Sequence, residues 1–241
     1  MTLPFFYTEQ ISAREENTVL NEDNSKHIVQ VLRMKEGERL KLTDGKGMLY
    51  TAEISDAHKK KCTVNILDEI KYPARVNKVC IAVSPVKNNS RFEWFLEKAT
   101  EIGVSAIVPL ICTRTEKQHF RYDRMNGILI SAMLQSQQVW LPVLHEPVKY
   151  HEYIALLSKD DREKYIAHCD DQTKTSLRHV LSSKAGVHPQ PATILIGPEG
   201  DFTNDEIALA LQNNFTPVSL GDTRLRTETA ALVAATLLCV V

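Results

Sequence analysis

The sequence predicts an α/β fold class in which a β-rich N-terminal domain is followed by a parallel sheet flanked by helices. Three observations predict this organisation. Short alternating strands separated by glycine turns occupy residues 1–72, whereas apolar strands alternate with amphipathic helices in the rest of the chain. Between these regions, Pro73 interrupts regular strand pairing and marks a linker. We therefore predict two domains, residues 1–72 and residues 73–241.

The N-terminal domain is predicted to contain a β-hairpin and one further strand. Residues 41–43 and 48–54 form two apolar-alternating runs, and the turn Asp44-Gly45-Lys46-Gly47 separates them. Glycine accepts the positive φ that such turns require, so the pattern is typical of a hairpin. Residues 61–67 alternate in the same way and predict the next strand.

The C-terminal domain is predicted to alternate strands and helices along the chain. Residues 91–103 repeat apolar side chains at helical spacing and end at Gly103, a common helix stop. The segment Thr203-Asn204-Asp205-Glu206 has the spacing of a capping box and predicts a helix over 204–213. The same patterns predict strands at 79–83, 106–110, 164–167, 193–196 and from 218 onward, and helices at 125–138 and 229–241.

The composition is that of an ordinary folded protein. Hydrophobic residues make up 43% of the chain and charged residues 24%, which argues against a disordered or low-complexity protein. Lys and Arg total 29 against 30 Asp and Glu, so no global basic excess attracts a polyanion, although a local patch can still bind nucleic acid. The apolar stretch at residues 229–241 is shorter than the roughly 20 residues that span a bilayer. We expect no membrane segment and no secretion signal, and hence a cytoplasmic protein.

Cysteine and histidine spacing gives little support for a metal site. The five cysteines are widely scattered and form no Cys-x-x-Cys pair, and the eight histidines show no spacing typical of zinc ligands. A reducing compartment fits this cysteine usage. We therefore expect no metal.

Two loops carry the most informative chemistry. In Ile196-Gly197-Pro198-Glu199-Gly200-Asp201-Phe202, a buried strand ends in a glycine-containing turn with a carboxylate, which is where ligands collect in parallel sheets. The second loop comprises residues 218–230. Its two arginines, Arg224 and Arg226, are candidates to bind a phosphate, and Thr227 or Thr229 is a candidate to cap the last helix. The alternatives are an ordinary strand-to-helix connection for the first loop and a solvated helix start for the second. Neither loop has the Gly-x-Gly-x-x-Gly or Gly-Lys-Ser/Thr pattern of nucleotide sites.

Together, these two loops resemble the paired C-terminal motifs of the SPOUT methyltransferases. More narrowly, they resemble the ribosomal RNA small subunit methyltransferase E family, which makes N3-methyluridine in 16S rRNA. Two further stretches support the narrower match. They are His27-Ile28-Val29-Gln30-Val31-Leu32-Arg33-Met34 in the first domain and Glu97-Lys98-Ala99-Thr100-Glu101-Ile102-Gly103-Val104 in the second.

The resemblance implies a PUA-like β-barrel in residues 1–72 and a SPOUT α/β domain with a C-terminal trefoil knot in residues 73–241. It also implies a homodimer that uses S-adenosylmethionine as methyl donor and acts on 16S rRNA in the small ribosomal subunit. A knot would account for the enclosed apolar C-terminal helix, and it is among the rare exceptions to unthreaded topology. The cofactor-binding residues carried over from the family are Gly197, Pro198, Glu199, Gly200, Ser219, Leu220, Gly221, Leu225, Arg226, Thr227 and Thr229.

Two residues are candidate catalytic groups. Because a fixed guanidinium stabilises negative charge developing on uracil, we expect Arg226 to orient the base and favour its deprotonated form. The alternatives for Arg226 are a phosphate clamp or a structural ion pair. Glu199 is a candidate proton acceptor, with the holding of loop amides as its alternative role. Candidate RNA contacts are Arg33, Lys35, Lys87 and Arg91.

The chain departs from the family pattern at three places. Residues 134–138 read Leu-Gln-Ser-Gln-Gln where the family usually has Glu-Gln-Ser-x-Arg, and Asp201 replaces the second glycine of Gly-Pro-Glu-Gly-Gly. Pro4 stands where an early arginine is expected. These departures leave two alternatives open, a methyltransferase for another RNA and an RNA-binding assembly factor that has lost catalysis.

Overall fold

The computed structural model describes residues 3–9, 11, 17–116, 119–169, 174–184 and 190–240. The chain forms two compact units. The first unit comprises residues 1–74 with 133–141, and the second comprises residues 75–132 with 142–241. The inclusion of 133–141 in the first unit was not predicted from the sequence.

The first unit contains a five-stranded sheet. Its strands are β1 (Phe5–Tyr7), β2 (Thr18–Val19), β3 (Arg39–Thr43), β4 (Met48–Asp56) and β5 (Thr63–Lys71). They lie in the order β1-β3-β4-β5-β2, with β1 parallel to β3 and the other pairs antiparallel. In β4, the alternate residues Tyr50, Ala52 and Ile54 are buried, as expected for a sheet with one face on a core.

The predicted hairpin is confirmed between β3 and β4. The Asp44 carboxylate accepts hydrogen bonds from the N–H groups of Lys46 (2.7 Å) and Met48 (3.1 Å), which closes the turn. Gly47 has a φ of 96°, and a Cβ atom there would lie 2.3 Å from the Trp140 ring. Only glycine fits this position, because both the backbone angle and the indole exclude a side chain.

The first unit also contains a helical segment that the strand pattern did not predict. It consists of α1 (Glu22–Lys26), followed directly by a π-helical turn at His27–Val31. Asn21 caps α1 through its side chain, which accepts the N–H of Asn24 at 2.8 Å. The turn ends at Arg33, whose φ of 56° is left-handed, and the N–H of Met34 bonds back to the carbonyl of Ile28.

The second unit is built on a parallel sheet. Its strands are β6 (Val79–Val83), β7 (Ala106–Ile111), β8 (Val143–Leu144), β9 (Val148–Lys149), β10 (Glu163–Ala167), β11 (Thr175–Ser176), β12 (Ala192–Ile196) and β13 (Thr216–Ser219). The order is β11-β13-β10-β12-β6-β7-β8, with β9 also paired to β7. Every one of these pairings is parallel, so the α/β class predicted for this part of the chain is confirmed.

Helices cover both faces of this sheet. They are α2 (Asn89–Ile102), α3 (Tyr122–Gln135, of which residues up to 132 belong to the second unit), α4 (Tyr150–Leu157), α5 (Leu177–Ser182), α6 (Asn204–Gln212) and α7 (Thr227–Val240). One core lies beneath α4 and α6 and includes Tyr153, Ile207 and the strand residue Leu195. Helix α7 packs against α2, β6 and β12. Consequently every residue of β6 and β12 is buried.

Three predicted helices are present, and one of them ends earlier than predicted. The helix predicted at 91–103 is α2, which buries Phe92 and Phe95 and is capped by Gly103. The capping box at the start of α6 is present, with Thr203 and Glu206 bonded reciprocally. Helix α3 ends three residues before the predicted position 138, because Gln137 adopts a left-handed φ of 57°.

Helix α7 is enclosed on one face within a single chain. Ala231, Ala234, Ala235 and Leu238 are buried at helical spacing, whereas Val240 is 70% exposed. Residues between them, including Leu232, Val233 and Leu237, are half-buried. In the part of the chain that the structure describes, no helix is long and apolar enough to cross a membrane.

Candidate functional site

A cavity of about 520 Å³ lies at the carboxyl edge of the parallel sheet in the second unit. Its size falls within the range of roughly 300–1,000 Å³ typical of small-molecule sites. The cavity is formed where β10 and β13 end, and its lining residues are Ala167, His168, Cys169, Lys174, Asp201, Val218, Ser219, Leu220, Gly221, Thr223, Arg224, Leu225 and Ala230.

The sheet register explains why these segments meet. Strand β10 lies between β13 and β12, with Ala167 paired to Val218 on one side and to Ile196 on the other. Because all three strands are parallel, their carboxyl ends and the loops that follow lie at one edge of the sheet. This edge is where ligands bind in open α/β sheets.

The loop after β12 is held in place by a series of hydrogen bonds. Gly197 is buried, and the Thr227 hydroxyl donates to its carbonyl at 3.0 Å. The Arg114 guanidinium donates to the carbonyl of Gly200 at 2.6 Å. A Glu199 carboxylate oxygen accepts the backbone N–H of Lys87 at 3.2 Å. The loop is therefore fixed to three other segments of the same unit.

Asp201 connects the loop after β12 to the end of β10. One carboxylate oxygen accepts the N–H of Cys169 at 2.8 Å, and the other accepts the N–H of Phe202 at 2.8 Å. The residue adopts a φ of 62°, in the left-handed region where glycine is the usual occupant. A positive φ at this position explains why the Gly-Pro-Glu-Gly-Gly motif, which this loop resembles, has a glycine here.

Glu206 fixes the start of α6 beside this loop. One of its carboxylate oxygens accepts the N–H (2.8 Å) and hydroxyl (3.1 Å) of Thr113, and the other accepts the N–H (2.8 Å) and hydroxyl (3.2 Å) of Thr203. The side chain is 7% exposed. Such a fully hydrogen-bonded buried carboxylate ties the loop after β7 to the loop after β12.

The loop between β13 and α7 contributes the other wall of the cavity. The Ser219 hydroxyl bonds to both the N–H (3.2 Å) and the carbonyl (3.0 Å) of Gly221 and closes a turn. Arg224 lines the cavity and is exposed. Arg226 is exposed too, and its carbonyl accepts the N–H of Ala230 at 2.7 Å in the first turn of α7. Among the described residues, neither guanidinium has a hydrogen-bond or ion-pair partner.

The predicted cofactor-binding residues divide into two groups. Ser219, Leu220, Gly221 and Leu225 line the cavity. The others lie in the same loops or at the start of α7 but outside the cavity lining, and they are Gly197, Pro198, Glu199, Gly200, Arg226, Thr227 and Thr229.

Sequence reasoning missed the contribution of β10 and noted Asp201 only as a departure from the family. The segment 167–169 lines the cavity although it contains no glycine motif. The sequence indicates only that a strand ends at this segment. The segment reaches the cavity because β10 lies between β12 and β13, and no local sequence pattern reveals that strand order. Arg114 was also missed, because its position against Gly200 depends on a long-range contact.

The predicted RNA contacts lie in both units. In the second unit, Lys87 pairs with Glu116 at 3.1 Å, and both side chains are well exposed. Arg91 lies 3.8 Å from Glu228, whose side chain is 8% exposed.

In the first unit, Arg33 and Lys35 are exposed directly after the π-helical turn. The backbone N–H of Lys35 donates to the carboxylate of Glu38 at 2.6 Å. Val31, in the last position of the turn, is 67% exposed, so an apolar and a cationic surface adjoin here.

No group of three or more His, Cys, Asp or Glu side chains that could hold a metal ion is found among the described residues. Cys169 is exposed, whereas Cys62, Cys80 and Cys112 are buried. Burial raises the pKa of the Cys62 thiol to about 11 and that of Cys239 to about 11.

Comparisons with known proteins place both units among RNA methyltransferases. Residues 73–239 match the RNA methyltransferase domain, and residues 20–67 match the RNA methyltransferase PUA domain. The chain is 29% identical to the ribosomal RNA small subunit methyltransferase E of Rickettsia conorii over 230 residues, which cover 95% of this chain and 91% of the relative.

Two solved structures are similar over nearly the whole chain. A probable rRNA-methyltransferase from Porphyromonas gingivalis has a TM-score of 0.84 and 37% identity, covering 97% of this chain and 95% of that chain. The ribosomal RNA small subunit methyltransferase E from Neisseria gonorrhoeae, solved bound to S-adenosyl methionine, has a TM-score of 0.82 and 27% identity, again covering 97% of this chain and 95% of that chain.

Proposed function

The chain belongs to the RNA methyltransferase family that includes the ribosomal RNA small subunit methyltransferases E, and from this membership we propose that it methylates N3 of a uridine in the 16S rRNA of the small ribosomal subunit. Its methyl donor is S-adenosylmethionine, and its N-terminal domain is PUA-like. The observation that carries the proposal is the cavity at the ends of β10 and β13, which lies within the matched methyltransferase domain.

The lining of this cavity fits the methyl donor chemically. The loop Ser219–Gly221 lines the cavity, and its backbone is our candidate to hold the adenine and ribose. At the same cavity, the exposed Arg224 guanidinium can bind the carboxylate group of a methionine moiety. We assign the predicted loops Gly197–Gly200, Ser219–Gly221 and Leu225–Thr229 to this site. The bound donor supplies an activated methyl group on a sulfonium.

Arg226 is our candidate for the group that acts on the uracil. It follows the cavity residue Leu225 directly, and the first turn of α7 fixes its backbone. With no acid partner among the described residues, its guanidinium is available to substrate. We propose that Arg226 orients the base and stabilises the negative charge that develops when N3 loses its proton.

Glu199 is our candidate proton acceptor. Its hydrogen bond to the N–H of Lys87 supports the alternative, in which the carboxylate holds a loop amide. Replacement by glutamine separates the two roles, because glutamine retains an oxygen that can accept the Lys87 amide but cannot take a proton at neutral pH.

We propose that Arg33, Lys35, Lys87 and Arg91 contact the RNA backbone. Arg33 and Lys35 are exposed beside the apolar residue Val31 in the PUA-like domain. Single-stranded RNA offers both phosphates and unstacked bases, so a mixed cationic and apolar surface suits it. The uridine is expected to leave its stack to reach the donor, as base-modifying enzymes require.

The same membership supports a proposal for the finer architecture. We propose that residues 1–72 form a β-barrel and that residues 73–241 form a SPOUT domain with a trefoil knot near the C-terminus. We also propose a homodimer, because the half-buried apolar residues of α7 offer a face for a second copy to cover. The site of action is the cytoplasm, where ribosomal subunits are assembled in bacteria. Sedimentation as a monomer at micromolar concentration would contradict the dimer.

The decisive experiment is methyl transfer to RNA from a strain that lacks the gene. Purified small subunits, bare 16S rRNA and the remaining RNA of that strain are incubated separately with labelled S-adenosylmethionine, and nucleoside mass spectrometry identifies the product. We expect N3-methyluridine in 16S rRNA. Methylation of a different RNA, or subunit binding without any transfer, would instead support one of the two alternatives left open by the sequence.

Variants test the assigned roles in the same assay. R226A is expected to lower kcat by about 10²- to 10³-fold, as for loss of a group that stabilises developing charge. E199Q loses activity at neutral pH if Glu199 accepts the proton, and retains it if the residue only holds the loop. R178A removes an exposed arginine on α5 and serves as the control.

A further inference from the structure

Asp201 occupies a backbone position that its side chain does not favour. Its φ of 62° lies in the left-handed region, which glycine adopts at no steric cost and which L-residues adopt less readily, Asn and Asp more often than the others. Residues held in such conformations persist where the surrounding structure requires them, and they concentrate at binding sites. An aspartate at this position makes hydrogen bonds that a glycine could not make.

The Asp201 carboxylate links two separate strand ends. Through one oxygen it accepts the N–H of Cys169, 32 residues earlier in the chain, at 2.8 Å. Through the other it accepts the N–H of Phe202 at 2.8 Å, which fixes the direction of the side chain. Both bonds are charge-assisted, and such bonds are stronger than those between neutral groups.

The position of Cys169 matters because β10 ends at Ala167. His168 and Cys169 follow the last paired residue of the strand. The Lys174 ammonium donates to the carbonyl of His168 at 2.6 Å, and Asp201 holds the N–H of Cys169. The segment 167–169 forms one wall of the cavity, and Asp201 is itself part of the lining. The hydrogen bond from Cys169 to Asp201 therefore helps to fix the position of the cavity wall formed by residues 167–169.

We propose that Asp201 is a positioning residue that latches the end of β10 in the place that completes the donor cavity, and so sets the affinity for S-adenosylmethionine. That the ligand of this cavity is S-adenosylmethionine rests on the proposed function. The latch acts through the hydrogen bond to Cys169, which the negative charge of Asp201 strengthens, and not through a contact between that charge and the donor. It therefore requires an acceptor oxygen at this position, whereas the backbone requires only a residue that tolerates positive φ.

Two substitutions separate these requirements. D201N tolerates the backbone angle and retains one oxygen that can accept the Cys169 N–H. It removes the charge and turns an amide NH₂ toward the N–H of Phe202, so that second bond is lost. D201G suits the backbone angle best and removes the latch. Asn214 has a similar φ of 64° in the same unit but does not line the cavity, so N214G is the matched control for the backbone change.

The test combines ligand binding with a local readout. Calorimetry on the full chain is expected to give an S-adenosylmethionine Kd about tenfold weaker for D201G, corresponding to the loss of one hydrogen bond of typical strength. The Kd of N214G should stay within about threefold of the parent, and the Kd of D201N should lie closer to the parent than that of D201G, since D201N keeps an acceptor for the Cys169 N–H. With small subunits as substrate, D201G should raise KM for the donor and leave kcat nearly unchanged. A role in folding alone would lower the melting temperature of D201G without this KM effect.

Hydrogen exchange of the ¹⁵N-labelled Cys169 amide tests the latch without any donor. The amide should be protected in the parent and in D201N and should exchange faster in D201G. Equal loss of donor affinity in D201N and D201G would show that the charge matters and would overturn the latch, as would unchanged affinity in both. If the parent itself binds no S-adenosylmethionine, the proposed function fails, and the exchange result still decides whether the latch exists.

Discussion

Thr227 carries the hydrogen bond that joins helix α7 to the loop after β12, and T227V removes it. The hydroxyl donates to the carbonyl of Gly197 at 3.0 Å, and Thr227 is 5% exposed. Valine keeps nearly the same shape, so the change creates little empty space. It leaves a buried carbonyl without its donor, which destabilises a protein by about 1–3 kcal/mol.

Thr236 provides a matched control in the same helix. Its hydroxyl donates to the carbonyl of Leu232 at 2.9 Å, but the residue is exposed, so water can replace the bond. T236V should change stability by no more than about 0.5 kcal/mol. Urea unfolding with linear extrapolation measures both variants. Equal destabilisation of T227V and T236V would refute the claim that the buried bond holds the two segments together.

Ligand binding extends this prediction from stability to the site. Because Gly197 and Thr227 belong to the two loops assigned to the donor, T227V should also weaken S-adenosylmethionine binding by about three- to tenfold, within the range of one lost hydrogen bond. Donor added at 100 times the parent Kd should stabilise the parent by about 2.7 kcal/mol and T227V by less. Equal stabilisation of the two proteins would show that the bond does not contribute to the site.

Three further changes test the surrounding structure. Replacing Glu206 by glutamine should destabilise the protein by about 2–3 kcal/mol because an amide nitrogen would face buried donors, whereas D205N on the exposed side of α6 should have little effect in urea unfolding. G47A should be less stable than G37A by about 1–3 kcal/mol. Both positions have a positive φ, but only a Cβ atom at 47 would meet the indole ring of Trp140. Equal melting temperatures of G47A and G37A would contradict this. Burial raises the pKa of Cys62 from its usual value near 9 to about 11, so the unfolded chain releases this proton first and the free energy of unfolding should fall as pH rises from 9 to 11. In C62A, the fall in unfolding free energy over this range should be smaller by up to about 1.4 kcal/mol per pH unit. The same fall in C62A as in the parent would contradict a raised Cys62 pKa.

Local sequence signals predicted the elements whose causes are local. The capping box at Thr203 and Glu206 requires only four consecutive residues, and it is formed as expected. The same holds for the hairpin turn at 44–47 and for the buried strand β12. The π-helical turn at 27–31 had no such signal, because its apolar residues fit neither an alternating nor a 3.6-residue pattern cleanly.

Long-range pairing explains what the sequence did not reveal. Residues 133–141 belong to the first unit because Gly47 donates its N–H to the carbonyl of Val139 and Leu141 donates to Gly45, across more than ninety positions of the chain. Likewise, the cavity depends on β10 lying between β12 and β13. The motif loops after β12 and β13 were recognisable from their glycines, but the third participating loop has none.

The charges at the carboxyl edge of the sheet show where this nearly neutral protein can attract RNA. Lys87 and Arg91 each pair with a carboxylate, from Glu116 and Glu228, so much of their field is cancelled at a distance. Arg224 and Arg226 have no acid partner among the described residues. Because an unpaired cation attracts phosphate more strongly than a neutralised one, these two arginines give the loop between β13 and α7 positive charge that can attract RNA. The same loop forms a wall of the proposed donor cavity, so we expect the attraction to bring RNA toward the proposed site of methyl transfer.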